Sequence, residues 1–481
     1  MPQRPNILFI FTDQQRVDTM ACYGNTQIQV PKLNELASQS FVVDNAYVST
    51  PICTPARSTI MTGTWPHTNG CTANNVPLDE SVQTIADHLP DEYLSAYYGK
   101  WHLGNDVIKQ HGFKRWMSYE DNYRQYYTKD EYLSVFSPYK QYLIDQGYEP
   151  DGEAEGGTYF TRPMTARLPE EHTKANWIAE RASEFIHTYA NRPWALYINI
   201  FEPHPPYYGP YDDQYDPEDI PTPPTFLKKT PDNAAKLHSV LSGSGHADLE
   251  SETSESGGER EWKELIARYW GLMTLTDNAV GKILKALEDS GNADNTIVVF
   301  TSEHGDQMGE HHLLGKGVFY EQSSRVPLLF RVPWLNEQEK HIPGRMSQID
   351  LVPTILDLIG ADIPAQLQGQ SRKAVLEGVT DLDDNDVILE WHARSVDRHG
   401  GGVDVDTIQH ERYRTLIGAD GWKAVFTAKS QCELYNLNED PYEQNNLFDD
   451  PVEQSRVKTM LDKVLAWQER TGDSAPMPSL K

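Results

Sequence analysis

Apolar residues in this chain fall into two kinds of run. Ile7-Leu-Phe-Ile-Phe11, Leu94-Ser-Ala-Tyr-Tyr98, Trp194-Ala-Leu-Tyr-Ile-Asn-Ile200, Thr296-Ile-Val-Val-Phe300 and Arg325-Val-Pro-Leu-Leu-Phe330 are short, continuous and rich in strand formers. Such runs suit strands buried on both faces of a parallel sheet. Phe41-Val-Val43 reads as a further short strand. Other stretches carry apolar residues at helical spacing: Trp177, Ile178, Phe185, Ile186 and Tyr189 within Glu171 to Ala190, and Leu265, Tyr269, Leu272, Ile283 and Leu287 within Glu259 to Ser290. Pro31 to Ser38, Val82 to Leu89 and Ile349 to Ile359 are expected to be shorter helices, with Gly360 capping the last. Past Ala361 the pattern changes. Val387 to Leu389, Arg412 to Ile417, Trp422 to Phe426 and Cys432 to Leu437 are short strands at hairpin spacing, followed by a helix over roughly Pro451 to Arg470. The predicted architecture is α/β: a large mixed, mostly parallel sheet flanked by helices, with a smaller C-terminal antiparallel sheet plus helix. The expected division is 1–375 and 376–481. Within the first part, a proline-rich and then polar stretch suggests a flexible insertion over about 208–258.

The polar residues that follow the buried runs carry the chemistry. In open α/β sheets ligands gather beyond the carboxyl ends of the strands. Asp13-Gln14, then Lys100 and His102, then His204, then Glu303-His304 each follow one such run. One polar strand end is routine, since Asp13 alone serves equally as a turn cap and Lys100 or His102 as a surface residue. Four of them argue for a shared site. Oxygens of Asp13, Gln14 and Glu303 suit a hard divalent cation, and Lys100, Lys316, Arg57, His102 and His204 suit a tetrahedral anion. Cation and cations together stabilise charge on transferring oxygens, so the expected reaction class is hydrolysis of a monoester of a tetrahedral oxyacid. The tyrosines between Ser118 and Gly152 read either as stacking faces for sugar rings or as a packed amphipathic insertion.

Charge and cysteine usage narrow the partners. With 71 Asp plus Glu against 42 Lys plus Arg, the net charge is −29, which repels nucleic-acid phosphates and anionic membranes. An anionic substrate therefore needs a locally positive site. Cysteines 22, 53, 71 and 432 form no Cys-x-x-Cys pair and no disulfide framework. No run approaches the roughly 18 apolar residues of a membrane span. Without the layout of a secretory signal, a cytoplasmic location is the expectation, or a periplasmic or secreted one if a leader precedes this sequence.

Cys53 stands in Cys53-Thr-Pro-Ala-Arg57, a thiol at a helix start with proline in the first turn and a cation one turn on. This string resembles the signature of the type I, formylglycine-dependent sulfatases of the alkaline phosphatase superfamily. Thr62-Gly63, Pro5 to Asp13, Gly99-Lys-Trp-His-Leu-Gly104, Pro203-His-Pro-Pro206, Thr301 to Asp306, Gly315-Lys-Gly317 and Glu433 to Leu437 resemble sulfatase segments in sulfatase order. The resemblance implies that Cys53 is oxidised to formylglycine (3-oxoalanine) by a formylglycine-generating or anaerobic sulfatase-maturating enzyme. Its hydrate then attacks sulfur, and the hemiacetal sulfate collapses to release sulfate. It further implies that Asp13, Gln14, modified Cys53, Glu303 and His304 hold the metal, most often Ca2+, with Mg2+ or Mn2+ as alternatives. Arg57 and His102 would orient and deprotonate the hydrate, Lys100 and Lys316 bind the sulfate, and His204 protonate the leaving alcohol. Glu303 departs from the usual Asp, which bears on the coordination and the metal; Gln14 replaces a second Asp.

The forms Gly-Lys-Trp-His-Leu-Gly and Pro-His-Pro-Pro look more like carbohydrate and aryl sulfatases than choline sulfatases or phosphonate monoester hydrolases. The expected substrate is a sulfated small molecule or saccharide, with Asn74, His392 and the 400–406 loop as candidate sugar contacts or ordinary turn residues. Two rivals stand beside this reading. One is a phosphate or phosphonate ester hydrolase of the same superfamily; the other is a non-catalytic binder of sulfated glycans whose Cys53 stays a thiol.

Overall fold

A computed structural model describes residues 4–241, 258–392 and 411–480. Its centre is a nine-stranded sheet in the order Lys340–Ser347, Phe41–Tyr47, Leu328–Arg331, Thr296–Ser302, Asn6–Thr12, Trp194–Ile200, Leu94–Tyr98, Arg115–Met117, with Arg325–Val326 paired beside Phe41–Tyr47. Most neighbours are parallel; Leu328–Arg331 is antiparallel to both of its partners. Two reversals cancel, so Phe41–Tyr47 runs in the same direction as Thr296–Ser302 and delivers the following segment, with Cys53, to the same edge.

Register decides how closely the polar strand ends meet. Thr12 pairs with Ile200 on one side and Ser302 on the other, so Asp13, Phe201 and Glu303 leave the sheet at one level. Asp13 N donates to Ile200 O and Glu303 N to Thr12 O (both 3.1 Å), extending the ladder one step beyond the strands. Alternation within Asn6–Thr12 sends Ile7, Phe9 and Phe11 into one buried cluster and Leu8 and Ile10 into another. The second cluster lies under the helices Lys174–Thr188 and Glu259–Asp289, whose buried stripes include Trp177, Ile178, Phe185, Leu265, Tyr269 and Ile283.

A second sheet, Val387–Trp391, Tyr413–Ile417, Trp422–Phe426 and Glu433–Asn436, is antiparallel throughout. Its Leu416, Ala424, Phe426 and Leu434 pack with Val457, Val464 and Trp467 of the helix Gln454–Thr471. The fold class is thus as expected from the runs, with local differences. The run 325–330 is two strands, because Pro327 has no N–H for the ladder. Of Val82 to Leu89 only Ile85–His88 is helical, started by a capping box at Thr84 and Asp87. The edge strand Lys340–Ser347 is half exposed and charged, which hid it. Of the expected flexible stretch, residues 208–241 pack on the body with Ile220, Phe226 and Leu237 buried, and 242–257 lie outside the described residues. No helix among the described residues is long and apolar enough to cross a membrane.

Candidate active site

The sheet edge and one buried helix build the site. The helix Cys53–Thr62 is buried at every position, with Cys53 at its first turn and Arg57 one turn on. Arg57 stitches the strand ends together: Nη1 donates to Lys100 O (2.6 Å), Nη2 to Asp13 Oδ2 and Asn199 Oδ1 (both 3.2 Å), and Nε lies against Glu303 Oε2. Gly99 lets Lys100 approach. Its φ is +123°, and a Cβ there would lie 2.3 Å from Asn199 O, so only glycine fits.

Asp13, Cys53, Glu303 and His304 each offer one ligand atom, and these four atoms lie within 4.8 Å of one another. Cys53 Sγ is 3.2 Å from His304 Nε2, which is itself 3.2 Å from Glu303 Oε1 and 4.0 Å from Asp13 Oδ1. His304 Nδ1 donates to Gly305 O (3.0 Å), leaving Nε2 for the cluster. Asp13 Oδ1 and Glu303 Oε1 are buried and accept no hydrogen bond, and Glu303 Oε2 meets only Arg57 Nε. Burial opposes charge on Asp13, but Lys100, His204 and Arg57 outweigh it and hold the carboxyl well below its ordinary range. Burial likewise opposes a charge on His304, yet Cys53 and Glu303 push it up to about 9. Hard carboxylate oxygens left largely without hydrogen-bond donors beside an imidazole fit a divalent cation. Gln14 stands differently from the other expected ligands. Its Oε1 accepts from Lys316 Nζ (2.5 Å), while its Nε2 donates to Asp306 Oδ2 (2.5 Å) and Tyr207 Oη (2.8 Å).

Cations and histidines surround this cluster. Lys100 Nζ is 2.5 Å from Asp13 Oδ2, and Asp13 raises its pKa against the pull of burial. His102 Nε2 donates to Asn75 Oδ1 (2.8 Å), so its buried Nδ1 carries the lone pair, and it accepts no hydrogen bond. Burial, Lys100 and Arg57 depress its pKa well below the ordinary value, which keeps the ring neutral. His204 Nδ1 donates to Pro205 O (2.8 Å), leaving Nε2 for chemistry; burial, Lys316 and Lys100 depress its pKa as well, against the pull of Asp13.

Several residues of this edge had no part in the expectation. Asn199 holds Arg57 and accepts from Tyr119 Oη (3.1 Å); its signal is a lone amide in an apolar strand. Asp306 positions Gln14 and accepts from Tyr207 Oη (2.6 Å) and from the N–H groups of Met308 and Gly315. Tyr123 stacks on His102 with ring centroids 3.9 Å apart, so one tyrosine of the rich segment faces the site while Tyr119 and Tyr139 are packing. Arg162 has no sequence signal. Asn74 Oδ1 accepts from Thr54 N (3.0 Å) in the first turn of the Cys53 helix, and His392 belongs to a separate cluster with Glu390 and Arg414. Positions 400–406 lie outside the described residues.

The sulfatase family model matches residues 5–361 of this chain. The chain belongs to the sulfatase family. A second model, the C-terminal part of N-sulphoglucosamine sulphohydrolase, matches residues 309–470 of this sulfatase. The chain is 27% identical to the multifunctional alkaline phosphatase superfamily protein PehA of Trinickia caryophylli, over 97% of this chain and 95% of the relative. It is also 27% identical to an N-acetylglucosamine-6-O-sulfatase of Bacteroides thetaiotaomicron, over 98% and 88%. Its fold matches the phosphonate monoester hydrolase of Agrobacterium radiobacter with a TM-score of 0.80 at 21% identity, covering 97% of this chain and 96% of that one. The sulfatase is therefore a hydrolase of the alkaline phosphatase superfamily.

Proposed function

We propose that this sulfatase removes sulfate from a sulfated saccharide or aryl sulfate, using formylglycine made from Cys53 and a divalent cation held by Asp13, Cys53, Glu303 and His304. The observation that carries this reading is the Cys53 thiol set inside an acid cluster in which Asp13 Oδ1 and Glu303 Oε1 accept no hydrogen bond, with Lys100 and Lys316 beside it. Calcium suits the oxygen-rich donor set best. Bound there, the cation would offset the carboxylates and lend positive charge next to the ester oxygens. Formylglycine would supply the nucleophilic oxygen.

The remaining chemistry belongs to the chain's own residues. Lys100 and Lys316 bind the ester's non-bridging oxygens, giving up part of their contacts to Asp13 and Gln14. Arg57 fixes Asp13, Glu303 and the Lys100 carbonyl, so it orients the groups around residue 53. His102, neutral and with its lone pair on Nδ1, takes a proton. His204 gives one from Nε2 to the leaving oxygen, and an anionic ester between the lysines offsets the charges that depress its pKa. Burial of Cys53 at 1% exposure means that a maturation enzyme meets it before the chain folds. The name of the N-acetylglucosamine sulfatase supports a sugar sulfate as substrate.

The test is parallel measurement of kcat/KM on defined saccharide sulfates, 4-nitrophenyl sulfate and the corresponding phosphate and phosphonate esters, with intact-mass analysis of the same sample. Sulfate esters are expected to be preferred, and conversion of Cys53 to lower the mass by about 18 Da. Preference for phosphonate esters assigns the chain to the other branch of its superfamily. An unconverted thiol after co-expression with a maturation enzyme makes it a binder.

A further inference from the structure

Lys100 and Lys316 account for the cations that the scissile ester needs, yet beyond them and Arg57 a further strong cation reaches the same place. Arg162 opens the helix Arg162–Ala166, and its side chain is 20% exposed. Its Cζ lies 4.9 Å from the Tyr123 ring centroid and 5.1 Å from that of Phe201. Tyr123 is the ring stacked on His102, and Phe201 packs against His204 with centroids 4.8 Å apart. One guanidinium thus touches the aromatic neighbours of both histidines. It lines one cavity with His204, the residue that serves the leaving alcohol.

How Arg162 is tethered leaves it capacity. Nε and Nη2 both donate to a single oxygen, Glu120 Oε2 (3.3 and 3.2 Å), the Tyr123 side chain also bonds the guanidinium, and among the described residues no second carboxylate is paired with it. A cavity lined by Arg162, Lys174, Phe201, Glu202, His204 and Tyr208 opens beside it. Lys174 Nζ, on a side chain 4% exposed, donates no hydrogen bond and lies 3.6 Å from the same Glu120 oxygen. Two carboxyls oppose these two cations. Burial works against charge on Glu120, but Arg162 and Lys174 hold it at about 2, whereas burial pushes Glu202 up to about 7. Burial also lowers the Lys174 pKa, and the Arg162 fork serves no bond-breaking step. A planar fork of donors beside aromatic rings matches a carboxylate or a sulfate, whose oxygens it engages two at a time.

We propose that Arg162, backed by Lys174, is a second anion subsite, so that the preferred substrate is a saccharide sulfate bearing a further anionic group, a carboxylate or a second sulfate. This rests on the saccharide reading above. A neutral sugar would leave the guanidinium desolvated and half-paired, and that difference selects the anionic substrate.

The matured full chain is assayed on two matched pairs: N-acetylglucosamine 6-O-sulfate against D-glucosamine-2-N,6-O-disulfate, and a 2-O-sulfated neutral hexose against a 2-O-sulfated hexuronate. At least one anionic member is expected to win, and which one identifies the group. Arg162→Gln should lower that selectivity ratio by about 10- to 100-fold, the value of a charge-assisted hydrogen bond. Arg162→Lys should fall between, keeping the charge and losing the fork. A ratio of two substrates does not depend on how much of a variant folds. Competition runs alongside, with glucuronate, glucosamine N-sulfate and glucose as inhibitors of whichever 4-nitrophenyl ester is cleaved. If only phosphonate esters react, the sulfate reading fails while the competition still reports on Arg162. Equal handling of neutral and anionic sugars by the parent, or a ratio and inhibition unchanged in Arg162→Gln, overturns the subsite.

Discussion

Among the described residues, two clusters bring three or more histidine, cysteine or carboxylate ligand atoms within 4.8 Å of one another, and they differ in what is left over. At the sheet edge stand Asp13, Cys53, Glu303 and His304; near the antiparallel sheet stand His67, Glu390 and Asp473. The second cluster is saturated. Glu390 accepts from the His67 ring (2.5 Å) and backbone N–H (2.8 Å), while Asp473 takes both Arg414 Nε (2.9 Å) and Nη2 (2.6 Å) and also Gln468 Nε2 (2.7 Å). At the first, Asp13 Oδ1 and Glu303 Oε1 accept no hydrogen bond, and Glu303 Oε2 meets only Arg57 Nε. A buried acceptor without a donor costs about 1–3 kcal/mol, more when charged, so a fold keeps several together only where function gains. Residue type makes the two clusters look alike. Hydrogen-bond saturation separates a lock from a site.

The largest expected effect comes from removing the thiol. Cys53→Ala should cut turnover of the best sulfate ester by at least about 10⁴-fold while leaving the thermal midpoint near that of the parent, because the nucleophile goes and no buried charge is uncovered. Steady-state kinetics with differential scanning fluorimetry checks both halves. Activity that survives would take Cys53 out of the chemistry.

The lock should respond in the opposite way. Arg414→Met leaves the Asp473 carboxylate, on a side chain 2% exposed, without its bidentate partner. Breaking a buried pair from one side costs about 3–5 kcal/mol. Denaturant unfolding should show that loss, whereas kcat/KM per folded molecule should hold, since Arg414 touches none of the residues at the sheet edge. A variant as stable as its parent would dissolve the contrast.

Calcium sharpens it further. Added to chelator-treated protein, the ion should bind one per chain and stabilise by about 2.7 kcal/mol at a hundredfold excess over its Kd. Glu303→Gln should weaken this stabilisation, and His67→Gln should leave it intact. Metal counting with thermal shifts decides; two ions per chain would make the saturated cluster a site as well.

Much of the sheet-edge contrast is legible in the sequence. The strand runs were continuous enough to fix a parallel sheet, and a parallel sheet sends its strand ends to one edge, so Asp13, Lys100, His204 and Glu303 converge by topology alone. What the sequence could not carry is the pairing. Gln14 reads as a metal ligand beside Asp13, yet Asp306 and Tyr207 hold its amide nitrogen and turn its oxygen to Lys316. Arg162 and Tyr123 come from a segment of short turns with weak hydrophobic period, where neither strand nor helix spacing predicts a direction. The saturated cluster was invisible for a related reason: His67, Glu390 and Asp473 are far apart in sequence and sit in a one-turn helix, a strand and a tail with no shared motif.

The smallest expected effect is a pH dependence confined to the lock. Burial opposes a charge on His67, but its hydrogen bond to Glu390, the Glu390 charge and Asp473 outweigh it and raise its pKa above 6.5. A histidine whose folded pKa is raised contributes stability that is complete below the unfolded value and is lost as pH climbs through the folded one. The parent's advantage over His67→Gln should therefore be greatest near pH 6 and shrink towards pH 9. His392 and Arg414 also face this cluster, His392 Nε2 lying 3.3 Å from Glu390 Oε1, so the difference between the two proteins, and not the parent's own curve, isolates His67. Thermal midpoints of both across that range supply the measurement. A difference that stays flat would mean that the His67 ring is neutral throughout and holds Glu390 by hydrogen bonding alone, and the lock would then owe its charge balance to Arg414.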